Sequence, residues 1–363
     1  VEAAPPDVSV THHLTPTRRP EPTMRHPRKR NLTISLLAAV ALTAAGCSSS
    51  STKTSNAAST SDPATVTIAV SNATNQTYLS LVLAQQLGFF KKQGVTVKIV
   101  NTVNGNQNWQ DMLAHQVDGV IGFYDHNIDL RAKGVSTESV IQLNQAPGMV
   151  ELVRTDEASA ITSPAQESGK KLGITGLGSS TQFVADYLAV HNGVPVNQLH
   201  PVNIGAGATF VAAMQHDEVD VGVSTEPTVS ALLAKKAAKI IVDMRSVSGT
   251  EAALGGPYPG TALSFETSYV QSNKSTVQKM VNALLESLNY IQTHSAAQIA
   301  AVVPAANYGA AGKTAYEEAL ANEIGMFSPT GLMPADGPQS VDRVLSSFDP
   351  QVEGHTVDVS LTY

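Results

Sequence analysis

The chain has 363 residues, 42% of them hydrophobic and 15% charged, with a formal net charge of -7. That length and apolar content give two or three folded domains and exclude a disordered, collagenous or coiled-coil chain. The acidic balance offers no general attraction to nucleic acid or to an anionic membrane surface, and a single cysteine excludes an internal disulfide, a cysteine-rich zinc site and an iron-sulfur cluster.

Arg25, Arg28, Lys29 and Arg30 precede Leu32 to Ala45, fourteen mostly apolar residues that end in Ala44-Ala45-Gly46-Cys47. This pattern predicts a secretory signal over residues 1–46, since the apolar run is shorter than the roughly 20 residues a spanning helix needs. Residues before Met24 form no plausible element, and Met24 is the expected start of translation. Residues 47–63, almost all Ser, Thr, Ala and Asn, predict a flexible tether on the order of 20 Å in r.m.s. span. Removing residues 1–46 takes away more Lys and Arg than Asp and Glu, so the exported part is more acidic than the whole.

The body then alternates elements. Val66–Val70 predicts a strand, the apolar spacing of Tyr78, Leu81, Val82 and Leu87 a helix, and Val95–Val100 a second strand. A helix over Trp109–His115 and a strand over Gly119–Phe123 complete a βαβαβ unit, which implies a right-handed, mainly parallel sheet. Asp125-x-Asn127-x-Asp129 imitates the head of a calcium loop, but Leu130 and Ser136 replace the needed Gly and Glu, so a polar loop is expected there.

After Glu138–Asn144 and Met149–Val153 the cycle repeats. Strands are expected over Leu172–Thr175, His200–Ile204, Val219–Val223 and Lys239–Val242, with helices over Gln182–His191, Thr209–His216 and Thr228–Leu233. Ser275-x-x-Gln278 reads as a capping box that opens an amphipathic helix through Ile291, and further helices follow over Ala296–Val303, Thr314–Phe327 and Ser340–Phe348. These C-terminal helices are expected to pad the first lobe.

Catalytic and cofactor motifs mostly fail. Gly176-Leu-Gly178-Ser-Ser-Thr181 opens like a dinucleotide fingerprint, but its third glycine is Thr181 and no acidic residue follows the next strand. The turn is then either an ordinary N-cap or a seat for a small anion or polar head group on Ser179, Ser180, Thr181 and the free N–H groups of a helix start. Gly312-Lys313-Thr314 lacks the first glycine of a P-loop, the histidines show no metal spacing, and no Gly-x-Ser-x-Gly elbow is present. Neither a cofactor nor a metal is expected. Glu226-Pro227 is either a helix start or, with Ser224 and Thr225, part of a crevice at a strand end.

Four ordered segments carry a resemblance: Leu87-Gly-Phe-Phe-Lys-Lys-Gln-Gly-Val95, Met112-Leu-Ala-His-Gln-Val-Asp118, Gly169-Lys-Lys-Leu-Gly-Ile-Thr175 with Gly178-Ser-Ser-Thr181, and Val219-Asp-Val-Gly-Val-Ser-Thr-Glu-Pro227. Together they resemble the NitT/TauT-type, SsuA-like substrate-binding proteins of ABC transporters, a group that includes thiamine-pyrimidine-synthase-like proteins. The resemblance implies an α/β, two-lobed periplasmic-binding-protein fold of type II, with parallel-dominated sheets and a ligand cleft between the lobes. Residues 64–153 are expected to form the first part of lobe 1, residues 154–245 lobe 2, and residues 246–363 the return to lobe 1.

Cys47 falls where such lipoproteins carry their lipidated cysteine, although Ala44 stands where Leu is commonest. The alternative is an ordinary cleaved signal beside a chance thiol.

Carried over residue by residue, the resemblance places Ser71, Asn72, Asn106, Trp109 and Tyr124 on the first-lobe wall. It places Ser179, Ser180, Thr181, Ser224, Thr225 and Glu226 on the second. Trp109 is either a ligand-stacking residue or core packing, and Tyr258 either a cleft residue or a turn. The implied function is capture of a small solute of the sulfonate, taurine, nitrate or thiamine-precursor class by a monomeric, lipid-anchored protein. Its partners would be a permease and its ATPase.

Two alternatives stand beside that reading. A pyrimidine-synthase-like enzyme would need a cysteine-rich run that this chain lacks, and a ligand sensor would need no transport partner. Glu226, if it faced the cleft, would suit an amine.

Overall fold

In a computed structural model of the chain, residues 64–363 are described. The expected signal region, Cys47 and the tether lie outside the described residues. Among the described residues ten strands form two five-stranded sheets. In chain order they are β1 (Ala64–Ser71), β2 (Val95–Thr102), β3 (Gly119–Phe123), β4 (Thr137–Gln142), β5 (Met149–Arg154), β6 (Lys171–Ile174), β7 (His200–Asn203), β8 (Val221–Thr225), β9 (Ala238–Met244) and β10 (Thr261–Glu266). The strand orders are β2-β1-β3-β10-β4 and β7-β6-β8-β5-β9.

The two sheets share one scheme. β1 pairs parallel with β2 and β3, and β6 pairs parallel with β7 and β8. A strand antiparallel to both neighbours follows: β10 between β3 and β4, and β5 between β8 and β9. Four strands of each sheet therefore run one way and one runs against them. The opposed strand is in each case the first to enter its sheet after the chain has passed from the other, so it arrives from the opposite end.

That topology corrects the expected boundaries. Met149–Val153, expected in lobe 1, is β5 and pairs with β8 and β9 of the second sheet. The return is also later than residue 246, because the helix Val247–Leu254 packs on β9 and on the helix Ser180–His191. The crossings fall over 143–148 and 255–260.

Each sheet has its own core. Val66, Ile68 and Val70 of β1 pack with Leu79, Leu81 and Leu83 of the helix Leu79–Gln86, which lies against Met280, Leu284 and Leu288 of the helix Lys274–Thr293. Full burial of one such side chain is worth about 1.5 to 3 kcal/mol. The capping box expected at Ser275 does not form: a short helix, Thr267–Ser272, runs almost directly into the next one, so the N-cap position falls on Asn273 and Ser275 lies inside the first turn.

A third apolar cluster joins the lobes. Phe123, Tyr124 and Ile128 from the first meet Phe183, Tyr187 and Leu188 from the second, and Val341, Val344 and Leu345 of the helix Gly337–Ser346 cover both. This C-terminal helix therefore does not pad the first lobe alone, as expected, but spans the boundary.

The segment expected as a polar loop is a helix, Asp125–Ala132, buried from Asp125 through Leu130. Its polar side chains find partners both nearby and far along the chain. Asn127 donates to Ser264 Oγ at 3.0 Å, Asp129 pairs with Lys133 at 2.7 Å, and Asp125 accepts from two hydroxyls.

Candidate functional site

In open α/β sheets the C-terminal ends of parallel strands face the crevice. Here β1 ends at Ser71, β3 at Phe123, β6 just before Thr175 and β8 at Thr225, and all four residues line one cleft between the lobes. Asn72 follows β1 at φ 60, a left-handed conformation that asparagine tolerates better than most residues. The helix Ser180–His191 starts at the opposite wall. The room between these walls is about 40 Å³.

The walls are a network of hydroxyls and amides. Ser71 Oγ and Tyr78 Oη lie 2.9 Å apart, and burial pushes the Tyr78 phenol up to about 12, which keeps it neutral. Thr181 Oγ1 accepts from the Thr175 N–H at 3.0 Å and lies 2.8 Å from both Thr175 Oγ1 and Ser179 Oγ. No hydrogen bond among the described residues engages the N–H groups of Ser180 and Thr181, two of the donors that a helix start leaves unpaired. Among the described residues no Lys, Arg, Asp, Glu or His lines the cleft.

The lobes touch across it. Asn75 Nδ2 donates to Thr225 Oγ1 at 2.5 Å, and the Gln76 N–H donates to the Glu226 carbonyl at 3.1 Å. Behind the far wall, Ser180 Oγ donates to Asp125 Oδ1 at 2.7 Å and Tyr258 Oη donates to Asp125 Oδ2 at 2.9 Å. Burial pushes the Asp125 carboxyl up to about 7, against the opposing pull of those hydrogen bonds.

Of the residues expected at the site, Ser71, Asn72, Ser179, Ser180, Thr181 and Thr225 line the cleft. Asn106 stands at its rim, where Nδ2 donates to the Leu177 carbonyl at 3.4 Å. The other five lie elsewhere. Trp109 is packed with Ala69, Met112 and Val120, its ring 5.4 Å from that of His126, so its core reading holds. Tyr124 is buried with its hydroxyl on Thr362, away from the cleft. Ser224 precedes Thr225 on β8, and strand alternation sends its side chain to the other face.

Glu226 does not line the cleft. Its carboxylate accepts from the Ser230 N–H at 2.9 Å and pairs with Arg245 Nη1 at 3.3 Å, so the amine-binding expectation falls. Tyr258 stands behind the wall as a donor to Asp125.

Four polar lining residues were not expected at the site from the sequence: Asn75, Tyr78, Asn104 and Thr175. Asn75 and Asn104 each cap a helical turn, accepting from the Thr77 and Gln107 N–H groups. An Asn just past a strand end was a usable signal for both. Tyr78 reads as an ordinary apolar position of its helix, and nothing local marks its hydroxyl.

Among the described residues no three His, Cys, Asp or Glu side chains converge as metal ligands, and no helix is long and apolar enough to cross a membrane.

A family model described as "NMT1/THI5 like" matches residues 75–297. Among solved structures, a protein from Bordetella bronchiseptica RB50 is 30% identical, with 83% of this chain and 94% of that one covered at a TM-score of 0.79. The alkanesulfonate-binding protein SsuA from Xanthomonas axonopodis pv. citri, bound to MOPS, is 17% identical, with 84% and 99% covered at a TM-score of 0.64. YtlA of Bacillus subtilis, named as a binding protein, is 24% identical over 225 residues, which span 61% of this chain and 65% of that relative's length. The fold is the two-lobed periplasmic-binding-protein fold.

Proposed function

Because the chain belongs to the NMT1/THI5-like family, we propose that it is an extracytoplasmic solute-binding protein that captures one small solute between its lobes and delivers it to an ABC importer. The observation that carries this reading is the cleft itself: hydroxyl and amide groups from both lobes converge on one small space, beside cross-lobe hydrogen bonds at Asn75 and Gln76. A solute that touches both walls favours the closed arrangement, and a permease can read that arrangement. No bond needs to be made or broken.

The cleft chemistry narrows the solute. Two unpaired N–H groups at the positive end of a twelve-residue helix favour a neutral or singly charged anionic head group. The absence of a lining Arg or Lys disfavours a dianion, and the absence of a lining carboxylate disfavours an amine. A sulfonate, a nitrate-like anion or a polar heterocycle remains suitable. Lipid attachment at Cys47, the tether over 47–63, a permease with its ATPase as partners, and a monomeric state complete the proposal.

The test is thermal unfolding of the purified protein against sulfonates, taurine, nitrate, bicarbonate, thiamine and its pyrimidine precursor. A native-state ligand at 100 times its dissociation constant adds about 2.7 kcal/mol. Selective stabilisation that is lost in Ser180→Ala or Thr225→Ala supports the reading, while stabilisation that both variants retain in full places the solute elsewhere.

A further inference from the structure

Asp125 stands one hydroxyl behind the cleft. Ser180 lines that space, and its Oγ donates to Asp125 Oδ1 at 2.7 Å, while Tyr258 Oη donates to Oδ2 at 2.9 Å. The carboxyl itself is wholly inaccessible. Its charge also acts on Tyr78, another residue of the cleft lining.

Among the described residues no cation pairs with Asp125. The His126 N–H serves the carboxyl, the His126 ring is kept neutral by burial, and the charged neighbour that acts on Asp125 is Asp129, one turn along the same helix. Lys133 and Asp349 act on Asp129, Asp342 on Tyr124 and Arg343 on Tyr187, and none of these four acts on Asp125.

An ionised Asp125 opposes an anion in the cleft in two ways. It holds the Ser180 proton, so that the hydroxyl turns only lone pairs toward the solute. It also sets one negative charge close to another in an interior that screens poorly, and a like charge favours the protonated carboxyl. Once Asp125 is protonated, its own O–H donates to Ser180 Oγ and the Ser180 O–H is free to turn to the solute. Burial already pushes this carboxyl up to about 7, so a modest further interaction is enough to load it with a proton at neutral pH.

We propose that Asp125 is a positioning residue of the solute site: a singly anionic solute enters the cleft together with one proton from water, which Asp125 holds while the solute is bound, and Ser180 then donates to the solute. The buried site carries one negative charge before capture and one after. The proposal rests on the solute-binding reading and adds the charge selection to it, since a neutral solute enters without a proton.

The test is calorimetric titration of the whole protein with methanesulfonate and nitrate, which stay singly charged from pH 6 to pH 9, and with uncharged dimethyl sulfone. Affinity for the two anions should fall about tenfold across that range. At pH 8 a proton should be taken up with each anion, read from buffers of different ionisation heat. Dimethyl sulfone should show neither effect. Asp125→Asn places a permanent donor beside Ser180 Oγ, so anion affinity should become independent of pH and stay near the parent's value at pH 6. Tyr258→Phe removes a hydrogen bond that favours the charged carboxyl and should move the fall in affinity to higher pH.

Anions that bind equally well from pH 6 to pH 9 without proton uptake overturn the proposal and leave the receptor reading intact. Binding of the sulfone alone does the same. A pH dependence that survives Asp125→Asn, or that Tyr258→Phe leaves in place, also overturns it, because another group would then carry the proton. Failure of all three compounds to bind at any pH defeats the proposed head group and the proton uptake together.

Discussion

Ser180 donates a 2.7 Å hydrogen bond to Asp125, from the first residue of one helix to the first residue of another, across the boundary between the lobes. Tyr258, on the segment that returns from the second lobe, donates to the other oxygen of the same carboxyl. One buried side chain thus ties three parts of the chain at the back of the cleft. The carboxyl is wholly inaccessible, so burial raises its pKa even though two hydroxyls and a helix N-terminus favour its charge.

That balance sets a pH dependence. Asp125 titrates near 7 in the folded protein against an ordinary 3.8, so the native state binds the extra proton between those values and stability grows as pH falls through about 7. Asp186 near 7 and Glu167 near 8, both raised by burial, act in the same direction. Urea unfolding should show Asp125 alone contributing about 2 to 3 kcal/mol between pH 8 and pH 5. Asp125→Asn should remove that part of the slope; an unchanged slope would mean that the carboxyl titrates normally.

His126 opposes this trend. Burial among Trp109 and Phe183 pushes its imidazole down to about 3, so the unfolded chain takes up its proton first and stability falls as pH drops below about 6.5. His126→Phe, which keeps an aromatic ring there, should stabilise the protein at pH 5 relative to pH 8 by about 2 kcal/mol compared with the parent. Chemical denaturation at the two pH values checks it.

Arg245 pairs with two carboxylates of the second lobe and acts on a third group from the first. It pairs with Glu226 at 3.3 Å and Asp243 at 2.6 Å, and its charge also acts on Glu323, which is wholly buried with both oxygens unpartnered. Arg245→Ala should cost about 3 kcal/mol, because it leaves the Glu226 charge uncompensated in the interior. A second change, Glu323→Gln, should recover part of the loss, and strict additivity in the double-mutant cycle would show the groups to be uncoupled.

Asn75 links the walls of the cleft without belonging to either core. Asn75→Ala removes its bond to Thr225 and should weaken solute binding about fivefold, with less than 1 kcal/mol lost from the unliganded protein. Equal losses in binding and in unliganded stability would make the contact purely structural.

The sequence alone determined the local units. Val66, Ile68 and Val70 alternate as a strand, the apolar stripe from Val277 to Ile291 winds as a helix, and hydroxyl residues after a glycine turn mark the start of the helix at Ser180. Periodicity records which face of an element meets its neighbours, so elements with one apolar face are legible. Strand ends also face the crevice as a rule, which marks Thr225, whereas Ser71 and Asn72 enter through the family resemblance.

Only the tertiary structure decided the rest. Asp125-x-Asn127-x-Asp129 reads as a loop because the partners of Asp125 stand 55 residues away at Ser180 and 133 away at Tyr258, and that of Asn127 at Ser264. Glu226 follows a strand end as a ligand residue would, yet Arg245, nineteen residues on, draws its carboxylate aside. β5 and β10 joined sheets that no periodicity could assign, because strand pairing is fixed by where the chain crosses rather than by the strand's own residues. A buried polar group is stable only when distant parts of the fold supply its hydrogen bonds, and such partners leave no trace in the residues beside it.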